Sequence, residues 1–246
     1  SRFNLITLEF IPVPRDRLLR DLVAGYGDIA AAGLTITEQR EKQVDFTRPY
    51  LTGVGELLVT CKKVKEPGSL KELSGKQVFV RKSSSYYESL TIFNQRLKKA
   101  GRRPVKIVEA DENLETEDIL ELVNTGAIKR TLCDSHIARI WADVLHGIKV
   151  HEDIKLRKGG KIAWAVRKSN PKLKLSLDRF IKGHRKGTLL GNIFFKRYYK
   201  ENAWVKNPMK GEAGKKVQQY RPIFKKYADQ YGFDWRLILA MAFHNS

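Results

Sequence analysis

The sequence predicts an α/β fold made of two lobes that enclose a ligand-binding cleft. Short apolar runs alternate with amphipathic helical stretches over about the first 200 residues, which is the pattern of strands packed against helices. A second series of such elements lies between Cys61 and Ile162, so the chain is expected to cross twice between two lobes. Polar clusters follow two of the predicted strands, at the strand ends where ligands usually bind in α/β sheets.

The first lobe begins with alternating strands and helices. Apolar residues from Leu5 to Val13 predict a buried strand. The helical spacing of leucines within Arg15–Ala24 predicts a helix that ends at Gly25, a favourable C-cap. Further strands are predicted at Asp28–Ala32 and Leu57–Cys61. This alternation predicts parallel pairing with right-handed crossovers.

The second lobe continues the same alternation before the chain returns to the first. Its predicted elements are a helical turn at Leu70–Leu73, a strand at Gln77–Arg81, a helix at Tyr86–Ala100, a strand at Val105–Val108, a helix at Asp118–Asn124 capped by Thr116 and ended by Gly126, a strand at Thr131–Cys133, a helix at Ser135–Val144 and a strand at Ile148–His151. A return strand at Ile162–Arg167 and helices at Leu173–Gly183 and Leu189–Tyr199 complete the first lobe.

These elements set the expected domain boundaries. The first lobe comprises residues 1–61 and 158–201, and the second comprises residues 62–157. Residues 202–214 contain Asn, Pro, Gly and Lys without an apolar period, which indicates a linker. Residues 215–246 begin a helical unit: one helix is predicted to stop at Tyr231-Gly232, and Asp234 is predicted to cap a final, apolar helix.

The polar turn after the second strand is the first candidate binding site. The segment GLTITEQR presents hydroxyls, backbone N–H groups and one arginine together. A guanidinium fork with nearby donors suits a small carboxylate, with Arg40 as the anchor and Gly33 and Thr35 as further donors. The alternative is an ordinary helix N-terminus, at which Thr37 is the N-cap and Arg40 is exposed to solvent.

Two further candidate clusters follow strands of the second lobe. Ser83, Ser84 and Ser85 open a predicted helix, where free backbone N–H groups and the helix dipole favour an anion. The alternative is that Ser84 or Ser85 only caps that helix. Asp134 lies at another strand end and suits a ligand ammonium group, whereas the alternative role is again that of a helix N-cap.

Composition excludes several function classes. A hydrophobic content of 42% with four Trp and eleven Phe indicates a packed globular chain. No apolar run reaches the roughly 18 residues of a spanning helix. Cys61 and Cys133 fit no metal spacing and are expected to be buried thiols rather than a disulfide, and the five histidines form no ligand cluster. We therefore expect neither a metal nor a cofactor.

The formal net charge of +20 raises the question of an anionic partner. Residues 151–220 hold 19 Lys or Arg against five Asp or Glu. Three interpretations stay open: a solvated basic face, an anionic cell-envelope surface, or nucleic acid. The basic residues are dispersed and do not alternate with stacking aromatics, so nucleic acid is not the expected partner.

The motifs named above resemble a known family. The segment GLTIT-x-x-R followed by VDF-T-x-PY is similar to the signature of the family 3 periplasmic solute-binding proteins, which bind amino acids and related ligands. The similarity extends over roughly residues 5–200, through segments that read FIPVPRDRLL, VFVRKSSSYY, CDS and AWAVRK. It implies a type II periplasmic binding fold in which Arg40 holds a ligand carboxylate and Asp134 faces the cleft. It also implies a signal peptide, a first strand and a first helix before Leu5.

The C-terminal segment narrows the resemblance. The stretch from Tyr220 to Leu237 is similar to the opening helices of a lytic transglycosylase domain, and a binding domain before that opening is the layout of the membrane-bound lytic transglycosylase F family. In that family the segment continues to a Gln-Glu-Ser whose glutamate is catalytic, whereas the matching residues here are His244, Asn245 and Ser246. An amide cannot transfer the proton that the reaction needs. We therefore expect this chain to be inactive in catalysis.

The combined resemblance implies a function. It implies a periplasmic, amino-acid- or muropeptide-binding regulatory domain of a peptidoglycan lytic transglycosylase that is associated with the outer membrane. Peptidoglycan would then be a partner through the parent catalytic domain. The alternative is an amino-acid-binding receptor of an ABC transporter, which would be expected to end soon after Tyr199.

Overall fold

The computed structural model describes residues 7–200, 212–235 and 238–239. The chain divides into two compact units, residues 1–200 and residues 201–246. The elements of the first unit are α1 (Leu18–Ala24), β1 (Ile29–Thr35), α2 (Glu38–Glu41), β2 (Asp45–Phe46), β3 (Leu51–Cys61), a 3₁₀ turn (Leu70–Leu73), β4 (Gln77–Arg81), α3 (Ser85–Lys99), β5 (Lys106–Ala110), α4 (Thr116–Thr125), β6 (Arg130–Asp134), α5 (Ser135–Ala142), β7 (Ile148–Val166), α6 (Pro171–His184) and α7 (Leu189–Tyr199). The strands form one mixed sheet with the order β1-β7-β3-β6-β4-β5, and β2 also pairs with β7.

Two long antiparallel strands connect the lobes. β3 pairs with β7 from Leu51 opposite Ile162 to Cys61 opposite Ile148, with several register shifts along the way. One end of this ribbon pairs with β1 and β2 in the first lobe, and the other end pairs with β6 in the second. The predicted two-lobed α/β architecture is confirmed. The lobe boundaries at residues 61 and 158 stay predictions.

The second lobe has a buried sheet with apolar layers on both faces. Adjacent residues of β3 point to opposite faces, so Leu57 packs with Leu120 of α4 while Leu58 packs with Leu90 of α3. β4 is parallel to β5 and to β6, and parallel strands typically need such covering on both faces. This packing fixes the ends of β4 and β6, which carry the serine loop and Asp134, at the same edge of the sheet.

The predicted strand at Leu5–Val13 is wrong for the residues that the structure describes. Residues 7–14 have no regular structure, and Phe10 is 85% exposed. In the described part of the chain β1 pairs with β7 and with no other strand. Backbone groups of this segment therefore lack a ladder partner, and Pro12 and Pro14 have no N–H to donate.

The lobe-connecting strands also differ from the prediction. Ile148–His151 and Ile162–Arg167 were expected to be separate strands, whereas β7 runs continuously from Ile148 to Val166. Its polar middle has no clear apolar alternation, but pairing with β3 keeps it extended. The expectation of parallel pairing fails in the first lobe, because β1 and β3 each pair with β7 in the antiparallel direction. The chain returns to the first lobe along β7 and not through a helical crossover.

Several local predictions are confirmed or corrected. Gly25 is a left-handed C-cap of α1, and Gly126 plays the same role for α4. The N-cap of α4 is Glu115 and not Thr116, since Asp118 accepts a hydrogen bond from the Glu115 N–H. Both cysteines are buried free thiols, as expected.

In the second unit the structure describes a 20-residue helix, α8 (Glu212–Tyr231). Its predicted end at Tyr231 is confirmed, because Gly232 has a positive φ of 72°. The guanidinium of Arg221 lies 5.2 Å from the ring of Trp235. Residues 202–211 of the expected linker, and Asn245, lie outside the described residues. No helix in the described ranges is long and apolar enough to cross a membrane.

Candidate ligand-binding cleft

A cleft of about 1470 Å³ lies between the two lobes. All seven residues that the sequence predicted as ligand contacts line it: Gly33, Thr35, Arg40, Ser83, Ser84, Ser85 and Asp134. Turns from three strands bring them together, because β1, β4 and β6 each end at the cleft. Their role as ligand contacts stays a prediction, and the geometry defines what each can do.

Arg40 is buried at the first-lobe side of the cleft, with 8% exposure. Thr37 is the N-cap of α2 and accepts a hydrogen bond from Arg40 N at 3.3 Å, as the alternative interpretation expected. That interpretation also expected Arg40 to be exposed to solvent, and this expectation is wrong because the side chain is buried. The guanidinium donates to the carbonyls of Thr35 and Ser83, both at 2.9 Å, and lies 3.8 Å from the carboxylate of Glu88.

Burial lowers the pKa of Arg40, and the charge of Glu88 opposes that effect. An arginine still keeps its charge in a protein. Two of its five N–H groups point to carbonyls of opposite lobes, so this residue holds the cleft together as well as charging it.

The backbone before Arg40 is shaped by Gly33. It has a positive φ of 65°, a conformation that L side chains rarely adopt, and the β1–β7 register shifts between Ala30 and Leu34. This irregularity leads into Thr35, whose carbonyl accepts from Arg40. The contribution of Thr35 seen here is therefore through its backbone.

The serine loop is satisfied largely by the protein itself. Ser83 donates through N and Oγ to the two carboxylate oxygens of Glu112, at 3.0 and 2.5 Å. Ser84 caps α3 by accepting from Tyr87 N at 3.3 Å, which confirms the capping interpretation for that residue. The Ser85 hydroxyl donates to Glu56 Oε1 at 2.8 Å. These serine hydroxyls therefore already have hydrogen-bond partners within the protein before any ligand binds.

Asp134 ends β6 and occupies the N-cap position of α5, but its side chain makes no capping hydrogen bond. It is 5% exposed, and its Oδ1 is buried without a hydrogen-bond partner among the described residues. Its backbone N–H donates to the hydroxyl of Tyr86 at 2.9 Å. Burial first, and the charge of Glu56 second, raise the pKa of Asp134 to about 7. The N-cap alternative is therefore not realised by the side chain.

Two charged residues of the site were missed by the sequence analysis. Glu56 is 1% exposed and lies in β3 within a run of apolar residues. Arg157 was counted with the dispersed basic residues, yet its Nε lies 3.2 Å from Glu56 Oε1 and it also donates to Ser89 Oγ. A lone carboxylate inside an apolar strand was a signal that could have been used, because such groups are rarely buried without a partner. Arg157 carried no comparable signal.

Aromatic side chains form another part of the wall. Tyr50, His136 and Tyr199 line the cleft, with the rings of His136 and Tyr199 4.9 Å apart and nearly perpendicular. Burial, followed by the charges of Lys186 and Arg139, lowers the pKa of His136 to about 4. The imidazole is therefore neutral near pH 7, and this wall offers apolar and aromatic contact.

An ion-pair network joins the lobes at the edge of the cleft. Arg15 pairs with Glu115 through two contacts of 2.9 Å each. Arg81 approaches the same carboxylate at 3.1 Å. Burial alone would raise the pKa of Glu115, but the hydrogen bonds and charges of Arg15 and Arg81 together outweigh it and lower that pKa.

Comparison with known proteins identifies the binding unit. The sequence model of a protein family, the bacterial extracellular solute-binding proteins, family 3, matches residues 2–198. A membrane-bound lytic murein transglycosylase F from Desulfosudis oleivorans is 29% identical over 234 residues, which are 94% of this chain and 50% of that protein. The corresponding protein of Methylobacillus flagellatus is 28% identical over 223 residues, which are 88% of this chain and 45% of that protein. The chain thus spans about half the length of the curated relatives it matches.

Solved structures show the same fold. An ancestral arginine-binding protein bound to arginine aligns with a TM-score of 0.63 and 26% identity, over 78% of this chain and 80% of that one. A putative ABC-transporter binding component from Wolinella succinogenes, complexed with lysine, aligns with a TM-score of 0.66 and 22% identity, over 82% of both chains. The transglycosylase helices expected after residue 215 are not tested by these matches, which support the binding lobes.

Proposed function

The chain belongs to the bacterial extracellular solute-binding proteins of family 3, and we propose that its cleft binds a small zwitterion, an amino acid or a cell-wall peptide fragment. Arg40 would hold the ligand carboxylate, and Asp134 would hold the ammonium group. The observation that carries this proposal is Asp134 Oδ1, a buried acceptor in the cleft wall with no hydrogen-bond partner among the described residues. A buried acceptor of this kind is costly unless a ligand satisfies it.

The chemistry on the Arg40 side supports the same assignment. Its guanidinium is held by two carbonyls and so presents its remaining donors in a fixed orientation. A carboxylate can accept two parallel hydrogen bonds from such a fork, and the low-dielectric cleft strengthens them. Ser84 and Ser85 begin α3 beside this point, and the N-terminus of that helix favours an anion.

We also propose a wider role for the binding unit. The two curated relatives described above are lytic transglycosylases that continue well beyond the matched region. This favours a regulatory ligand-binding domain of a peptidoglycan lytic transglycosylase, located in the periplasm and associated with the outer membrane, over a transport receptor. Peptidoglycan would be a partner of the parent protein, and basic residues within 151–220 would contact an anionic envelope component.

Calorimetric titration tests the ligand assignment. Arginine and glutamine are the first probes, because solved relatives at 26% and 27% identity are bound to them, and defined muropeptides follow. Arg40→Ala should make the binding free energy of the probe less favourable by about 2–5 kcal/mol, the usual cost of removing one partner of a buried charge pair. Glu152→Gln alters a half-exposed surface pair with Arg139 and serves as the control. Unchanged affinity in Arg40→Ala would remove that residue from the site.

A further inference from the structure

Glu56 and Asp134 face each other across the sheet at the cleft wall. They are direct partners in the antiparallel register of β3 and β6. Side chains at such positions lie on the same face of the sheet, with Cβ atoms about 4.5–5.5 Å apart. Both residues are buried. Two like charges held so close, away from water, strongly disfavour simultaneous ionisation.

The hydrogen bonds of the two carboxyl groups are unequal. Glu56 Oε1 accepts from the Ser85 hydroxyl at 2.8 Å and lies 3.2 Å from Arg157 Nε, so one oxygen of Glu56 already has a hydrogen-bond donor and a positive charge beside it. Glu56 Oε2 and Asp134 Oδ1 have no hydrogen-bond partner within the described residues. A proton on one of these two oxygens would let it donate to the other and satisfy both.

The charged groups around Asp134 do not take over the role of that proton. The charged and titratable groups that interact with Asp134 are Glu56 of β3, Arg157 of β7, Arg40 of α2, Tyr86 of α3, Cys133 of β6, Tyr199 of α7 and the nearby Tyr50. His136 of α5 also lines the cleft, and its imidazole is neutral near pH 7. The guanidinium of Arg40 is directed to two carbonyls, and that of Arg157 to Ser89 and Glu56. Burial and the charge of Glu56 raise the pKa of Asp134, and they outweigh the lowering by the hydrogen bond with Tyr86 and by the charges of Arg40 and Arg157.

We propose that Glu56 and Asp134 share one proton in the ligand-free cleft, and that the ammonium group of a bound ligand replaces this proton. The ligand half of this inference rests on the proposed function. On binding, the O–H bond of Asp134 breaks, its electron pair stays on the carboxylate oxygen, and the proton passes to solvent. The ammonium group keeps its three protons and donates to the carboxylates. The pair changes from one negative charge to two, and the ligand supplies the compensating positive charge.

This exchange makes Glu56 a positioning residue that selects for a charged amine. An N-acetylated α-amino group carries no positive charge and cannot replace the proton. Binding of a cationic amine should release about one proton where Asp134 is protonated in the free protein and almost none where it is already ionised.

Infrared titration of the ligand-free protein with isotope-labelled aspartate tests the shared proton directly. A protonated aspartic acid signal should persist near pH 6, disappear above about pH 8, and be missing in Asp134→Asn. Glu56→Gln keeps an oxygen for Ser85 and Arg157 but removes the neighbouring charge, so the signal should disappear at a lower pH. The same midpoint in Glu56→Gln and parent, or an ionised Asp134 at pH 5, would overturn the proposal.

Calorimetry with L-arginine in two buffers of different ionisation enthalpy tests the exchange. The parent and the Glu152→Gln control should release about one proton near pH 6 and almost none near pH 8.5, and Glu56→Gln should release clearly less near pH 6. N-acetyl-L-arginine should bind at least tenfold more weakly than L-arginine. Binding of L-arginine without proton release would overturn the exchange and leave the proposed function intact. Failure of arginine, glutamine and the muropeptides to bind would remove the proposed function, while the infrared titration would still decide the shared proton.

Discussion

Burial and the charge of Glu56 hold the pKa of Asp134 near 7, and this has a consequence for folding stability. The folded-state pKa lies above the ordinary aspartate value, so the folded protein binds more protons than the unfolded chain between about pH 4 and pH 7. The free energy of unfolding should therefore fall as pH rises through this range. The same group that favours ligand binding at higher pH destabilises the empty cleft there.

Replacement of Asp134 by Asn should abolish this pH dependence. The variant should be more stable than the parent at pH 8 and differ much less at pH 5, because the amide never pays the cost of burying a charge. Urea unfolding of the ligand-free protein at both pH values measures the difference. Asp153→Asn, at an exposed position of β7, is the matched control and should show no such trend. Equal stability changes at the two pH values would contradict the assignment.

Arg40 should not be replaceable by Lys. The guanidinium donates to Thr35 and Ser83 in two directions, and an ammonium group lacks the planar fork for a ligand carboxylate. Arg40→Lys should weaken amino-acid binding at least tenfold although the charge is kept. Isothermal titration of the variant against the parent checks this, and parental affinity in Arg40→Lys would show that charge alone suffices.

At the level of single residues, the sequence predicted part of the site. Asp134 is the last residue of β6 and Arg40 lies shortly after β1, so their position near strand ends was predictable from local pattern. Glu56 and Arg157 were not found, because their importance depends on pairing between β3, β6 and β7, which are distant in sequence. The hydroxyls of the serine loop were predicted in place, but their internal partners Glu112 and Glu56 depend on the same long-range packing.

Among the elements, α3 links the second lobe to the cleft, and its N-cap should have a measurable energetic value. Ser84 Oγ accepts from Tyr87 N and also donates to the carbonyl of Arg81 at 2.6 Å. Ser84→Ala should lower the free energy of unfolding by about 0.5–2 kcal/mol, as loss of an N-cap usually does. Ser176→Ala on the exposed face of α6 removes a hydroxyl that does not cap a helix and should cost less. A larger loss from Ser176→Ala would contradict the capping role.

The elements best predicted were those with strong local signals. β4, the 3₁₀ turn and α7 have the bounds expected from apolar period and flanking turn residues. The polar middle of β7 and the unpaired segment 7–14 were misjudged, because whether an extended segment forms a strand depends on the neighbour that pairs with it. Strand direction in the first lobe failed for the same reason.

At the scale of the binding unit, the lobes are held by contacts that a ligand would supplement. Arg15 and Glu115 form a bidentate pair across the cleft, and Arg40 reaches the Ser83 carbonyl of the opposite lobe. Glu115→Gln should shift the ligand-free protein toward more open lobes and increase its radius of gyration in X-ray scattering. The effect should be modest, since this carboxylate is about half exposed and the pair is screened by solvent.

A control for lobe opening is available within the second lobe. Glu109→Gln removes a surface pair with Lys82 that does not cross the cleft. Its scattering profile should match that of the parent. An equal expansion in both variants would point to a general loss of charge balance instead of a specific interlobe contact.

For the whole chain, the resemblance to lytic transglycosylases implies that Asn245 stands in the position of their catalytic glutamate, which leads to a prediction about catalysis. An amide cannot act as the general acid and base that a lytic transglycosylase requires. We expect no release of anhydro-muropeptides when purified protein is incubated with sacculi, and chromatography of the soluble products measures it. Release by this chain would show that the acid lies elsewhere.

The central claim is that Arg40 receives a ligand carboxylate while Asp134 receives its ammonium group. It is tested most directly by calorimetry of the tightest-binding amino acid and its carboxamide, each against the parent and Arg40→Ala. In the parent the carboxamide should bind more weakly by about 2–5 kcal/mol, because it cannot accept two charge-assisted hydrogen bonds. In Arg40→Ala the amino acid and the carboxamide should bind almost equally, since the group that distinguishes them is absent. A preference for the carboxylate that survives unchanged in Arg40→Ala would contradict the claim.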